Sequence, residues 1–207
     1  MKNSCKDRGL RGKGVNIIMV KNALQTISEN FIKLQEKSDT IQEIADIWIE
    51  ALKNGNKIIF CGNGGSAADS QHLSAELMGR YKIDRHPMPA MSLTTDTSAL
   101  TAIGNDYGYE NVFSRPLKGI GNKGDVLVGI STSGNSKNIL EAYKVAKEKG
   151  IKTIAFTGSK GGEMINYADV TLNVPSDITN NIQEMHIASG HIICGIVEDY
   201  FFGKGDK

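Results

Sequence analysis

Apolar residues recur at helical spacing over the first part of the chain. Between Ala23 and Leu52 they return every three or four positions, with one interruption at residues 38–40, where Ser, Asp and Thr offer helix caps. The spacing therefore predicts two opening helices. The stretch before them is basic and rich in glycine, and we predict that residues 1–20 form a flexible N-terminal extension.

Beyond residue 56 the pattern changes to short apolar runs that alternate with helical stretches. The runs predict five strands, over residues 57–61, 90–93, 126–131, 153–157 and 170–174. Helical spacing predicts helices over about 67–81, from about 97, over 137–149, near 163 and over about 179–202. Apolar strands that alternate with helices are typical of a parallel sheet covered on both faces. We therefore predict an α/β three-layer sandwich with a central, mostly parallel, five-stranded sheet, plus two N-terminal helices.

Composition narrows the class of protein. The chain has 207 residues, 40% of them apolar, which suits one domain over residues 21–207. Its formal net charge is +1, and the charged residues are spread along the chain without a basic cluster. Nucleic acid is therefore not expected as a partner. Cys5, Cys61 and Cys194 are too few and too scattered for a disulfide framework, which favours a reducing cytoplasm. The apolar run at residues 15–20 is too short for a signal peptide or a membrane span.

Two polar loops follow strands and open helices. Residues 62–66 (Gly-Asn-Gly-Gly-Ser) come after the first strand, and residues 131–136 (Ser-Thr-Ser-Gly-Asn-Ser) come after the third. Ligands of such sheets bind beyond the carboxyl ends of the strands, and amides at a helix N-terminus attract anions. The hydroxyls of the second loop would suit a phosphate monoester. The first loop alone also fits an ordinary strand-to-helix turn.

These two loops resemble the paired loops of the sugar isomerase (SIS) domain family. The likeness extends over roughly residues 20–200 and includes residues 61–81, 104–108, 113–115, 129–136 and 182–191. Within that family the chain is most similar to the phosphoheptose isomerases. The resemblance implies a flavodoxin-like SIS domain and a homotetramer with sites at subunit interfaces. It also implies isomerisation of sedoheptulose 7-phosphate for the heptose of lipopolysaccharide or other surface glycans.

The resemblance also assigns roles to residues. Glu76 and His191 match the acid/base pair, and zinc is implied as the cofactor. The matching metal ligands are His72, Glu76, Gln183 and His191. The matching substrate-binding residues are Asn63, Gly64, Gly65, Ser66, Glu76, Asn105, Asp106, Ser131, Thr132, Ser133, Ser136 and Gln183.

Helical spacing is compatible with that metal site. His72 and Glu76 are four residues apart on one helix, and Gln183 and His191 are eight apart on another, so each pair shares a helix face. Imidazole and carboxylate are usual ligands of zinc, whereas Gln is uncommon. The pair on the first helix also fits a plain surface hydrogen bond. His186 lies off the face of His191 and is expected to support the site from behind or to be structural.

The predicted reaction needs few groups. Exchange between ketose and aldose removes a proton beside a carbonyl, passes through an enediol and returns the proton one carbon away. Glu76 would be the base on carbon, and His191 would move a proton between oxygens. One imidazole does not easily bind a metal and shuttle protons together, so either the ligand set changes or one role is secondary. Arg80 and Arg115 are candidates to assist binding of the substrate's phosphate group, or are simply solvated.

Two alternatives remain at this stage. Some SIS domain proteins sense sugar phosphates, and relatives of the phosphoheptose isomerases bind a bacterial replication initiator without catalysing. Such proteins would be expected to lose the acid/base residues, which this chain keeps. The other alternative is an isomerase of another sugar phosphate, such as an arabinose or hexulose phosphate, because phosphate loops do not measure the length of the carbon chain.

Overall fold

A computed structural model describes residues 13–203 of the chain. Its helices are α1 (Lys13–Leu34), α2 (Ser38–Lys53), α3 (Gly65–Met78), α4 (Thr97–Tyr107), α5 (Ser114–Ile120), α6 (Lys137–Lys149) and α7 (Thr179–Phe202). Its strands are β1 (Ile58–Gly62), β2 (Ala90–Ser92), β3 (Val126–Ser131), β4 (Lys152–Thr157) and β5 (Val170–Asn173). The five predicted strands are confirmed, and each of their ends lies within one residue of the prediction.

All strand pairs are parallel, and the strand order is β2-β1-β3-β4-β5. This is the flavodoxin-like order. The chain adds β2 on one side of β1 and then crosses back to add β3 on the other side, so the topological switch point lies between β1 and β3. Those two strands are hydrogen-bonded neighbours, with Gly62 in register with Ile130. The two predicted loops therefore leave the sheet side by side at its carboxyl edge, where ligands of such sheets bind.

Helices cover both faces of the sheet, as predicted. On one face α2, α3 and α7 pack on the apolar side chains of the strands, and Trp48 meets Phe60 edge to face with ring centroids 5.3 Å apart. On the other face α4, α5 and α6 form a second core around Leu127 and Tyr143. The strand side chains are buried on both sides, which accounts for their uniformly apolar sequence.

The N-terminal region differs in part from the prediction. Two opening helices are present, but α1 begins at Lys13, so residues 13–20, which the sequence placed in the N-terminal extension, are helical; residues 1–12 lie outside the described part of the chain. The start of the helix was missed because that stretch combines glycine with charge, whereas Ile17, Val20 and Leu24 form an apolar stripe at helical spacing. This stripe is exposed in the single chain.

Helix α5 was not predicted from the pattern. Its sequence, Ser-Arg-Pro-Leu-Lys-Gly-Ile, contains Pro116 and Gly119, which usually break helices. Pro116 lies in the first turn, where its missing N–H removes no intrahelical bond. Leu117 is fully buried and anchors the helix to the second core. No helix within residues 13–203 is long and apolar enough to cross a membrane.

Candidate active site

The first loop joins β1 to α3 in a tight turn. Gly64 has a φ of +54°, a conformation that side chains disfavour, and α3 begins at the next residue. The side chain of Asn63 reaches the first turn of α6, directly after the second loop, where its amide exchanges hydrogen bonds of 2.9 and 3.0 Å with that of Asn138. Ser66 is buried in the first turn of the helix. The two loops are thus fastened to each other.

The second loop joins β3 to α6 and gathers hydroxyl groups. The Oγ atoms of Ser131 and Ser136 lie 2.8 Å apart, and Oγ of Ser133 is 3.5 Å from that of Ser131. The backbone N–H of Gly134 donates to Oγ of Ser131 at 3.2 Å. Gly134 has a φ of +67° and lies so close to the carbonyl of Gly161 that a Cβ atom would not fit. The close approach requires glycine, and it holds the hydroxyls at the N-terminus of α6.

A cavity of about 320 Å³ lies between the two loops. This volume is at the lower end of the range for small-molecule sites. It is lined by Asn63, Tyr109, Glu110, Ser136, Lys137 and Asn138. Four of these, Tyr109, Glu110, Lys137 and Asn138, were not among the predicted site residues. Lys137 is the first residue of α6, and a cation directly after a hydroxyl-rich loop is the signal that could have identified it.

Three predicted residues converge between α3 and α7. Nε2 of His72 lies 3.0 Å from Oε1 of Glu76 and 3.1 Å from Nε2 of His191. One ligand atom from each residue lies within 4.8 Å of the others. Burial, and then the charge of His72, lowers the pKa of His191, while Glu76 opposes the shift. A neutral imidazole is thereby favoured at this position.

The chemistry of this cluster fits a divalent metal ion. Two ring nitrogens that face each other at 3.1 Å cannot both carry a proton without repulsion, but both can direct lone pairs at one cation. The nearby carboxylate completes a set of two nitrogens and one oxygen, which matches zinc chemistry. His72, Glu76 and His191 are therefore possible metal ligands.

Gln183 is placed apart from that cluster. A Cβ atom added to Gly65 would lie 2.5 Å from Nε2 of Gln183, so the carboxamide lies against the start of α3. Along α7 its Cα is about 12 Å from that of His191, because the two are eight residues apart. The single chain therefore brings together three of the four predicted metal ligands and places Gln183 beside the first loop.

The remaining predicted substrate-binding residues occupy varied positions. Nδ2 of Asn105 donates to Oδ1 of Asp106 at 2.7 Å, and both residues are exposed at the end of α4. Within residues 13–203 no hydrogen bond joins either of them to the two loops, although the hydroxyl of Tyr109 donates to Asn63 at 3.2 Å. Thr132 follows β3, and its carbonyl accepts a bond from Gly158.

Within the described residues, no hydrogen bond or salt bridge joins either candidate arginine to the loops. The guanidinium of Arg115 lies over the ring of Tyr107, 3.5 Å from the centroid, and is thereby held against α4. Arg80 is exposed just after α3. The cation that lines the cavity beside the second loop is Lys137.

Asp69 is a further polar residue that the sequence patterns did not single out. It lies on the face of α3 that carries Gly65, His72 and Glu76, since these positions recur every three or four residues. Its Oδ2 is buried without a hydrogen-bond partner in the described part of the chain. Burial raises the pKa of Asp69 to about 6, and the charge of His72 opposes the rise. The 65, 69, 72, 76 spacing could have revealed it.

His186 is outside the cluster. It is fully buried beneath β4, with Nε2 3.1 Å from the carbonyl oxygen of Thr157. Burial lowers its pKa to about 4, with the Thr157 bond opposing, so the ring is neutral at physiological pH. Its position fits the structural role that was one of the two expected for it.

Comparison with known proteins adds independent information. The sequence profile of the SIS domain family matches residues 21–158. The chain is 57% identical over 184 residues to a phosphoheptose isomerase of Akkermansia muciniphila, covering 89% of this chain and 97% of the other. The structure is similar to that of a phosphoheptose isomerase from Francisella tularensis, with a TM-score of 0.86, 34% identity and coverage of 89% and 98%. For the enzyme from Neisseria gonorrhoeae the TM-score is 0.80, the identity 44% and the coverage 87% and 99%.

Proposed function

The chain belongs to the phosphoheptose isomerases of the SIS domain family and is a sugar-phosphate isomerase, and we propose that it interconverts sedoheptulose 7-phosphate and D-glycero-D-manno-heptose 7-phosphate. The observation that supports the mechanism most directly is that His72 and Glu76 on α3 converge with His191 on α7. We further propose that the product supplies the heptose of lipopolysaccharide or other surface glycans.

The phosphate is proposed to bind at the second loop. Hydroxyls of Ser131, Ser133 and Ser136 lie together at the N-terminus of α6, where the helix dipole favours an anion. Lys137 lines the cavity next to Ser136 and adds a positive charge there. Asn63 and the turn at Gly64 and Gly65 would contact the sugar from the opposite side, with Ser66 fixing the turn and Thr132 completing the hydroxyl loop. We keep Asn105, Asp106 and Gln183 as proposed substrate contacts.

Proton transfer is assigned to two residues. Glu76 removes the proton from C1 of the open ketose, and the electron pair of that C–H bond forms the C1–C2 double bond of an enediolate that carries its negative charge on O2. His191 moves the hydroxyl proton from O1 to O2, and Glu76 then returns its proton to C2 to give the aldose. The side chain of Glu76 is 20% exposed, so the proton that it takes up can exchange with solvent before it is returned.

Zinc fits the same cluster. His72, Glu76 and His191 would hold it, with Gln183 a further ligand only if its side chain leaves Gly65. When bound, zinc polarises a carbonyl and stabilises negative charge on oxygen. Glu76 and His191 can serve both as ligands and in proton transfer only if the ligand set changes during the reaction, or if one of those roles is secondary.

The experiment that tests the function is NMR in heavy water with sedoheptulose 7-phosphate. We expect aldose heptose phosphate with deuterium at C2, loss of activity when a chelator removes the metal, and recovery when zinc is added back. Turnover of an arabinose or hexulose phosphate in place of the heptose phosphate would assign the chain to another substrate. Binding of sugar phosphate with no turnover in any metal condition would contradict the isomerase mechanism.

We also propose that the chain acts as a homotetramer in the cytoplasm. Helix α1 exposes six large apolar side chains, which a second copy would cover; they are Ile17, Ile18, Met19, Val20, Leu24 and Ile32. Ile192, beside His191, is 50% exposed, so a subunit boundary there would adjoin the site. Cys61 and Cys194 are buried free thiols, as suits a reducing compartment. Gel filtration with light scattering is expected to give four chains, and a monomer would contradict the proposal.

A further inference from the structure

A buried ion pair fastens the segment after α3 to α7. The carboxylate of Glu198 accepts hydrogen bonds from three successive backbone N–H groups, those of residues 81–83, at 2.7 to 3.0 Å. It also accepts a bond of 3.0 Å from Nε of Arg85. Both side chains are 1% exposed. The conformation of the segment is therefore fixed by one residue of α7.

Arg85 closes the end of α3 at the same time. Its guanidinium donates to the carbonyl oxygens of Glu76 and Leu77 at 2.8 Å and to that of Gly79 at 3.2 Å. These carbonyls have no partner within the helix because they belong to its last turn or follow it. The pair Arg85–Glu198 thus ties the C-terminal end of the helix that carries His72 and Glu76 to the helix that carries His191.

Tyr81 is the side chain that this arrangement places beside the cluster. Its ring is stacked on the imidazole of His191, with centroids 5.8 Å apart and planes inclined by 21°. The ring also crosses Gly195, one turn further along α7, where an added Cβ atom would lie 3.3 Å from Cε1 of Tyr81. Glycine at 195 leaves the space that the stacked ring occupies, although it is a poor helix former.

We infer that Tyr81 is a positioning residue for His191, held over the imidazole by the buried Arg85–Glu198 pair. The ring limits rotation of the imidazole, so that Nε2 stays directed at His72 and Glu76. This inference rests on the proposed function of the cluster. It adds a residue that touches neither the proposed phosphate site nor the reacting carbons and acts through His191 alone.

The test compares Tyr81→Leu with Tyr81→Phe. Zinc affinity is measured by competition with a chromogenic chelator, and kcat and KM are measured with sedoheptulose 7-phosphate. Because an aromatic pair contributes modestly beyond its buried area, we expect Tyr81→Leu to weaken zinc binding and lower kcat by about fivefold each. KM should stay within about twofold, since the phosphate loop is untouched. Tyr81→Phe keeps the ring and should keep both values.

Two further variants separate positioning from folding. Tyr167→Leu removes an exposed tyrosine far along the chain from the cluster and should behave like the unaltered protein. Gly195→Ala adds a Cβ that pushes on the Tyr81 ring but improves helix propensity. We expect it to weaken zinc binding by about twofold while the unfolding midpoint does not fall.

The outcomes decide between the inference and its alternatives. Equal zinc affinity and equal kcat for Tyr81→Leu and the unaltered chain would overturn it, as would an equal loss in Tyr81→Phe. If the unaltered chain turns over no heptose phosphate, the proposed function fails. The positioning role then stands if zinc affinity follows the pattern Leu weakened, Phe retained, and falls if it does not.

Discussion

Replacing Glu76 with glutamine is expected to lower kcat for isomerisation by about 10²- to 10⁴-fold, the range associated with loss of a general base. Glutamine has nearly the same shape and keeps an oxygen that can face His72, but it cannot take a proton from carbon. The 3.0 Å contact between Glu76 and His72 makes this substitution mild for the structure, because an amide can replace the carboxylate in that hydrogen bond.

Deuterium incorporation is the measurement that isolates this step. Exchange at the carbon beside the carbonyl should disappear together with product formation, while sugar-phosphate binding, followed by calorimetry, should persist because the second loop is unchanged. Glu141→Gln is the matched control, since Glu141 is partly exposed on α6, away from the cluster, and pairs with Lys144. Glu76→Gln protein that still exchanges the carbon-bound proton at the rate of the control would show that another group is the base.

The sheet could be predicted from the sequence because the burial of each strand is visible in its amino-acid composition. Residues 58–62 and 126–131 are buried on both faces, so each run is apolar throughout and ends at a polar loop. The loops follow from the strands, since parallel strands end at one edge. Helix α5 was harder to predict because it contains proline and glycine and is stabilised by tertiary contacts. The start of α1 was harder to predict because its first residues are lysine and glycine.

The cluster shows where spacing stops being informative. The four-residue separation of His72 and Glu76 predicts that they share a helix face, and the structure has them in contact. That His191 meets them depends on α3 and α7 being neighbours although His72 and His191 are 119 residues apart, which only the family resemblance implied. Arg85 and Glu198 are in contact although they are 113 residues apart in the sequence. Nothing in the sequence around either residue indicates which residue it pairs with.

The proposed site therefore depends on how two helices are fastened. The second loop, which we propose binds the phosphate, joins β3 to α6 and is fixed by close backbone packing at Gly134. The cluster of His72, Glu76 and His191 lies on α3 and α7, which the Arg85–Glu198 pair and Tyr81 connect at their C-terminal halves. A change at the Arg85–Glu198 pair should therefore lower stability strongly and affect the cluster through α3 and α7, while leaving the second loop unchanged.

Glu198→Ala is expected to lower the free energy of unfolding by about 3–5 kcal/mol, the usual cost of removing one partner of a buried ion pair. The variant leaves the guanidinium of Arg85 buried without its carboxylate, and three backbone N–H groups lose their acceptor. Urea denaturation followed by the fluorescence of Trp48, the single tryptophan, measures the loss. Protein concentration must be held constant, because the apparent stability of the proposed homotetramer would depend on it.

Glu141→Ala is the control for that measurement. Its ion pair with Lys144 is solvent-exposed, and its loss should cost less than about 1 kcal/mol. A cost for Glu198→Ala no larger than that of Glu141→Ala would show that the buried pair does not hold the two helices together.

The contribution of Glu198 should also depend on pH. Burial raises its pKa, but the bonds from residues 81–83 and from Arg85 lower it more, so the folded-state pKa lies below the usual value for glutamate. The unfolded chain then binds the proton more readily, and stability from this group is present above the unfolded pKa of about 4.3 and is lost as pH falls through the folded pKa. The difference in unfolding free energy between the unaltered chain and Glu198→Gln should accordingly be constant near neutral pH and shrink below about pH 4. A difference that stayed constant down to pH 3 would contradict a charged Glu198 in the folded protein.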